Sequence, residues 1–215
     1  GEGNFCGACF TKLRMIAPPL CVRCGTPFSV DIAPDAWCPS CLDEADTFDR
    51  ARAALVYDAT SAPLIASLKF LDQWAGIGRY VGLMAHAGSE LLHGADVIVP
   101  IPLHWRRLLR RRYNQSAVLA TMLAKRCALP CESAWLRRTR ATVPQARLPR
   151  KERLVNMREI FAVPLRYHAS VAGKIIVLVD DVITTGATMN AAAQALKQAG
   201  AREVRVLTLA KTVKE

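Results

Sequence analysis

The stretch IVLVDDVITTGAT, residues 176–188, decides how this chain is read. Four apolar residues predict a strand buried on both faces, and the adjacent carboxylates Asp180 and Asp181 stand at its end. A turn containing Thr184, Thr185, Gly186, Ala187 and Thr188 follows and runs into the helical pattern ATMNAAAQALKQA, closed by Gly200. In an open parallel sheet, ligands bind beyond the carboxyl ends of strands, where loops meet helix N-termini. Backbone N–H groups and threonine hydroxyls in that turn suit a phosphate at the positive end of the helix. The two carboxylates suit vicinal hydroxyls at the other end of the same small molecule. A sugar phosphate has both parts. Neither GK[ST] nor G-x-G-x-x-G occurs, which argues against a nucleoside triphosphate or a dinucleotide.

Working outward, residues 51–57 read as a strand and residues 62–71 and 77–92 as helices. DVIVPIP at 96–102 is a second continuously apolar strand, followed by a helix over 114–127 with Ala120, Leu123, Ala124 and Cys127 on one face. Strands are expected near 134–138, at 160–163 and in EVRVLTLA. Strands alternating with helices predict a parallel α/β sheet.

The charge is segregated. Of 29 Lys and Arg, 15 fall in residues 104–158, opposed only by Glu132 and Glu152. That segment carries +13 and the rest of the chain −2, so a local polyanion site is expected there: pyrophosphate, a phosphorylated substrate or nucleic acid. No apolar run is long enough to span a bilayer and the N-terminus lacks a secretory pattern, so a cytoplasmic protein without membrane insertion is expected.

Six of the eight cysteines form pairs within the first 41 residues: Cys6 with Cys9, Cys21 with Cys24, and Cys38 with Cys41. Two residues between sulfurs let one turn aim both thiolates at a common point, and in a cytosolic chain this spacing reads as zinc. Cys21, Cys24, Cys38 and Cys41 supply one tetrahedral set, with Gly25 after the first knuckle where a positive φ is useful. Cys6 and Cys9 are then half of a second site whose partner pair lies upstream of Gly1; alternatively they join Cys21 and Cys24. With every ligand position filled by protein, the zinc is structural. The expected organisation is a cysteine-rich zinc-ribbon module over residues 1–48 and an α/β domain over residues 49–215. Cys127 and Cys131 read as small apolar fillers.

IVLVDDVITTGAT resembles the phosphoribosyl pyrophosphate (PRPP) motif of type I phosphoribosyltransferases at every position. Together with the cysteine pairs, VIVPIPLHWRRLLRRRYNQS and TVPQARLPRKERLVNMREIFAV are similar to the ComF competence family, also called GntX-like, along nearly the whole chain. The resemblance implies a type I phosphoribosyltransferase-like parallel sheet flanked by helices, behind a zinc ribbon. It implies that Asp180 and Asp181 meet the ribose hydroxyls, and that Thr184, Thr185, Gly186, Ala187 and Thr188 hold the 5-phosphate. A loop with Ile101, Pro102, Arg106 and Arg107 would hold pyrophosphate, ordered by Asn114 and Gln115 at the next helix start, where Asn is a good N-cap. Gln145, Leu148, Arg153 and Asn156 fall where active relatives carry a flexible loop that closes over PRPP. Mg²⁺ is implied as a chelate of PRPP rather than a protein-held ion. The family's link to competence implies single-stranded DNA as a partner, with Arg110, Arg111 and Arg112 on its backbone, and competence or DNA-processing proteins as others. Two functions are therefore expected: a phosphoribosyltransferase, or a non-catalytic single-stranded-DNA-binding protein that uses the pocket as sensor or scaffold. The sequence names no acceptor, since SLKFLDQWAGIGRY specifies no base or amine, and His86, His93, His104 and His168 form no base and nucleophile pair.

Overall fold

The computed structural model describes residues 10–43, 46–68, 76–103, 113–139 and 160–213. The strands, in chain order, are β1 (Arg50–Val56), β2 (Val97–Pro100), β3 (Arg137–Arg138), β4 (Phe161–Ala162), β5 (Ile175–Ile183) and β6 (Glu203–Lys211). The helices are α1 (Pro39–Asp43), α2 (Ser61–Ser67), α3 (Ile77–Ala87), α4 (Ser89–Leu92), α5 (Gln115–Cys127), α6 (His168–Val171) and α7 (Ala187–Gln198).

Four strands form a parallel sheet in the order β1-β6-β5-β2. Successive side chains of a strand point to opposite faces, and both faces here are covered. Ile176 and Leu178 of β5 pack with Val97 and Val99 of β2 against Met189, Ala192 and Leu196 of α7. Val177 and Val179 pack with Ile98 and Leu207 against Tyr80, Val81 and Met84 of α3 and Leu119 and Leu123 of α5. A strand with no solvent-facing side reads as an unbroken apolar run, which explains IIVLV.

Several expected elements take a different form. The helix expected over residues 77–92 breaks at Gly88, which at φ −99° and ψ 11° separates α3 from α4; Leu207 Cδ2 would lie 2.5 Å from a β-carbon there, so the position admits no side chain. The strands expected near 134–138 and 160–163 shrink to two residues each and pair antiparallel as β3-β4, apart from the main sheet. Asp180 and Asp181 lie inside β5 rather than at its end. β6 keeps pairing with β5 as far as Ile183 opposite Lys211, whereas β2 stops at Pro100 opposite Val179.

Both sheet edges are closed by irregular chain, which removes the unpaired backbone that an edge strand offers to other molecules. On the β1 side, Ile16 N–H donates to Ala54 O and Val56 N–H to Arg14 O, each at 2.9 Å. On the β2 side, Ile98 N–H donates to Pro130 O and Glu132 N–H to Ile98 O, also at 2.9 Å.

Candidate functional site

Because β2 ends one residue short, the acid pair stands past the last β2–β5 pairing, on the rim where α5 and α7 begin. The first turn of α5 organises this rim. Asn114 is the N-cap: its Oδ1 accepts from Ser116 N–H at 3.1 Å while its Nδ2 donates to Ile101 O at 2.9 Å. One side chain thus satisfies a helix-end donor and holds the loop after β2, as expected for this position. Ile101 is buried, its N–H donating to Val179 O at 2.9 Å, and Pro102 is half-buried beside it. Gln115 is 4% exposed, and its Nε2 has no hydrogen-bond partner among the described residues.

Ser116 Oγ donates to Asp180 Oδ1 at 2.6 Å, and the same oxygen accepts from Asp181 N–H at 2.9 Å. These bonds hold the Asp180 carboxyl in one orientation. Burial, and then the adjacent Asp181 charge, push Asp180 up to about 7; the serine hydroxyl and the amide pull downward without balancing them. Near neutral pH the pair therefore shares a proton part of the time. A hydroxyl donor or a cation arriving beside it favours full ionisation.

Downstream of the acids, Thr184, Thr185 and Thr188 are exposed, Gly186 is buried and Ala187 is half-buried. Gly186 is the N-cap of α7 at φ +77°, a left-handed conformation that costs any other residue about 1–2 kcal/mol. A β-carbon there would meet its neighbours at 3.9 Å, an ordinary contact, so backbone conformation rather than crowding within the fold demands glycine. The cap supplies no side-chain acceptor to the helix. Thr185 Oγ1 accepts from Ala187 N–H at 3.5 Å, a long and weak bond. Such a helix start suits an anion, which satisfies end amides that a serine or aspartate cap would otherwise take.

At the other end of the chain the sulfurs of Cys21, Cys24, Cys38 and Cys41 lie within 4.8 Å of one another, all buried and none in a disulfide. Cys24 and Cys38 Sγ are 3.6 Å apart, against about 3.8 Å for two thiolates on a tetrahedral Zn²⁺ at 2.3 Å. Cys38 N–H donates to Cys21 Sγ at 3.3 Å, and Thr26 Oγ1 sits 3.0 Å from Cys24 Sγ. Burial pushes the Cys38 and Cys41 thiols up, toward the protonated form. Burial acts the same way on Cys24, but the Lys211 ammonium and Thr26 outweigh it and bring that thiol down to about 7. Crowded buried sulfurs of this kind are what a dication stabilises, so the residues fit a structural zinc with no position left for a substrate.

A phosphoribosyl transferase domain model matches residues 114–214, and a double zinc ribbon domain model matches residues 1–45. The DNA utilization protein YhgH of Escherichia coli strain K12 is 33% identical over 218 residues, 99% of this chain and 92% of that protein. Competence protein F of Haemophilus influenzae is 27% identical over 98% of this chain and 91% of its own length. The chain belongs to the ComF competence family. Another ComF relative, the competence protein ComFC of Bacillus subtilis, is 28% identical over 93% of this chain and 80% of that protein.

In this ComF-family chain the described residues bring Ile101, Asp180, Asp181 and the loop with Gly186 to one rim, and Cys21, Cys24, Cys38 and Cys41 to one point. Cys6, Cys9, Arg106, Arg107, Arg110, Arg111, Arg112, Gln145, Leu148, Arg153 and Asn156 lie outside the described residues. Two site residues escaped sequence reasoning. Ser116 carries no signal beyond its place two residues after an N-cap. Asn190, in the first turns of α7, reads there as one polar position of an amphipathic helix. Among the described residues no helix is long and apolar enough to cross a membrane.

Proposed function

We propose that this ComF-family protein binds Mg²⁺-PRPP on the rim formed by β5, α5 and α7. In this reading Asp180 and Asp181 accept the ribose hydroxyls. Thr184, Thr185, Gly186, Ala187 and Thr188 surround the 5-phosphate, and the loop from Ile101 and Pro102 toward Arg106 and Arg107 receives pyrophosphate. The observation that carries the reading is the termination of β2 opposite Val179, which leaves the acid pair beside two helix starts, one holding Asp180 through Ser116 and the other with a glycine cap that offers no side-chain acceptor. Magnesium enters with PRPP, whose phosphates supply its preferred oxygen ligands. Structural zinc sits on the four clustered thiolates, in a module over residues 1–48 that precedes the phosphoribosyltransferase-like domain over residues 49–215.

Calorimetric titration of PRPP with Mg²⁺ tests the pocket without knowledge of the acceptor. Saturable binding is expected in the native chain and is expected to vanish in Asp180→Asn with Asp181→Asn. Heat that is unchanged by the double substitution would remove the site from the rim.

The names of its relatives associate them with DNA utilization and competence, and the +13 segment of residues 104–158 supports a second partner, single-stranded DNA in the cytoplasm. Arginines that neutralise phosphates release counterions, so log affinity for a labelled single strand should fall steeply with log salt. Alanine at Arg110, Arg111 and Arg112 should flatten that slope; an unaltered slope places the strand elsewhere. The DNA function and PRPP binding are compatible: PRPP occupies the rim as substrate, with Gln145, Arg153 and Asn156 in a covering loop, or as the signal that a DNA-processing partner reads.

A further inference from the structure

The loop beside α7 is tied to the metal-binding segment through the side chain of Asn190. Asn190 is the fourth residue of α7, and its backbone N–H donates to Gly186 O at 2.9 Å. Both arms of its amide are engaged by the segment that follows the cysteines. Nδ2 donates to Asp46 Oδ1 at 2.7 Å, and Oδ1 accepts from Thr47 N–H at 2.7 Å. That two-way pairing fixes which arm is nitrogen and which is oxygen. Asp46 and Phe48 also flank Gly186, with Asp46 Oδ1 and Phe48 Cε1 each 3.9 Å from where its β-carbon would be. The segment is in turn held by Arg23, which sits between Cys21 and Cys24. Its Nη2 donates to Asp46 O and, at 3.4 Å, to Phe48 O, while its guanidinium lies over the Trp37 ring at 5.2 Å.

The knuckle that carries two zinc ligands therefore grips the segment that grips the phosphate-loop helix. We propose that Asn190 is a positioning residue, through which the metal-held fold of the cysteine segment sets the conformation of the loop at Gly186. The inference deepens the PRPP reading and rests on it for the identity of the anion, although the mechanical link does not. Without zinc the knuckle loses its geometry, Arg23 releases the Asp46 and Phe48 carbonyls, and the first turns of α7 lose their outside support. By reciprocity, an anion bound at that loop stabilises the metal-held state.

Hydrogen exchange on the full chain, zinc-loaded and after chelation, tests the link. The Thr47, Asn190 and Ala191 amides are expected to exchange at least several-fold faster once zinc is removed. In Asn190→Ala, zinc content should stay at the native level while these amides exchange quickly from the start. Asn190→Asp keeps the side-chain volume but sets a carboxylate against Asp46, so it should loosen the same amides; adding Asp46→Asn restores one donor and one acceptor and should restore protection. Unchanged exchange on chelation, or a double variant no better protected than Asn190→Asp, would overturn the link. Ribose 5-phosphate provides the second arm. Its affinity for the native protein should drop about tenfold on chelation, within the usual range of coupling between sites. An equal affinity with and without zinc counts against the proposal. No affinity in the zinc-loaded protein, with exchange still responsive to chelation, sinks the anion assignment and leaves the link standing.

Discussion

Ser116 Oγ donates to Asp180 Oδ1 across 2.6 Å, joining the start of α5 to the acid pair of β5 although 64 residues separate the two. The bond holds an oxygen that burial and Asp181 would otherwise leave poorly compensated, and its consequences are measurable.

PRPP affinity should depend on pH through Asp180. The group titrates near 7, and the ionised form is the better acceptor for ribose hydroxyls, so affinity should rise from pH 5.5 to 8 with a midpoint close to 7. In Ser116→Ala the charged form loses a hydrogen bond, and the midpoint should move up by about one pH unit. Calorimetry across this range checks it; an unshifted midpoint in the variant would falsify the role given to Ser116.

The free protein should gain stability when the pair is broken. The folded Asp180 pKa, about 7, lies above the ordinary value of 3.8, so the native state holds a proton that the unfolded chain releases. The benefit of that proton is complete below pH 4 and lost as pH rises through 7, where two neighbouring charges must coexist. Asp180→Asn removes the conflict. Thermal melts at pH 8 should show a gain of about 1 kcal/mol, or roughly 2–4 °C, that disappears toward pH 4. A loss of stability at pH 8 would contradict this.

Two left-handed glycines should respond differently to alanine. Gly25 has φ +67°, and a β-carbon there would lie 2.5 Å from the Ala51 carbonyl oxygen, backbone against backbone on β1. Gly186 has φ +77°, but a β-carbon there would meet its neighbours only at an ordinary contact distance of 3.9 Å. Gly186→Ala should cost about 1–2 kcal/mol, the conformational term alone. Gly25→Ala should cost at least about 3 kcal/mol, because the cysteine knuckle must lift from the sheet. Urea unfolding of the two variants tests the ranking; equal losses would place the cost in φ alone.

Lys211, at the end of β6, is 8% exposed and donates to Cys24 O at 2.8 Å. Four thiolates on Zn²⁺ carry a net charge of −2, and this ammonium is placed to offset part of it. Lys211→Met preserves bulk and removes the charge. Zinc affinity, followed by competition with a chromogenic chelator, should fall about 10- to 100-fold, typical for loss of an outer partner. Native affinity in the variant would mean that the lysine only fastens β6 to the knuckle backbone.

Short-range chemistry was legible in the chain itself. The spacing of Cys21, Cys24, Cys38 and Cys41, the apolar run of β5, the positive φ at Gly25 and the cap at Asn114 each follow from residues within a few positions of one another, or from a repeated pair. Tertiary structure decided the rest. Residue 88 must be glycine because Leu207 occupies its β-carbon space, and Asp180 falls inside a strand because β6 outruns β2. Ser116 with Asp180, Asn190 with Asp46 and Thr47, and Lys211 with Cys24 pair across 64 to 187 residues. Periodicity and capping rules report which face a residue takes on its own element. They carry no information about the register in which two elements dock, and that register is set by close packing of both sheet faces at once.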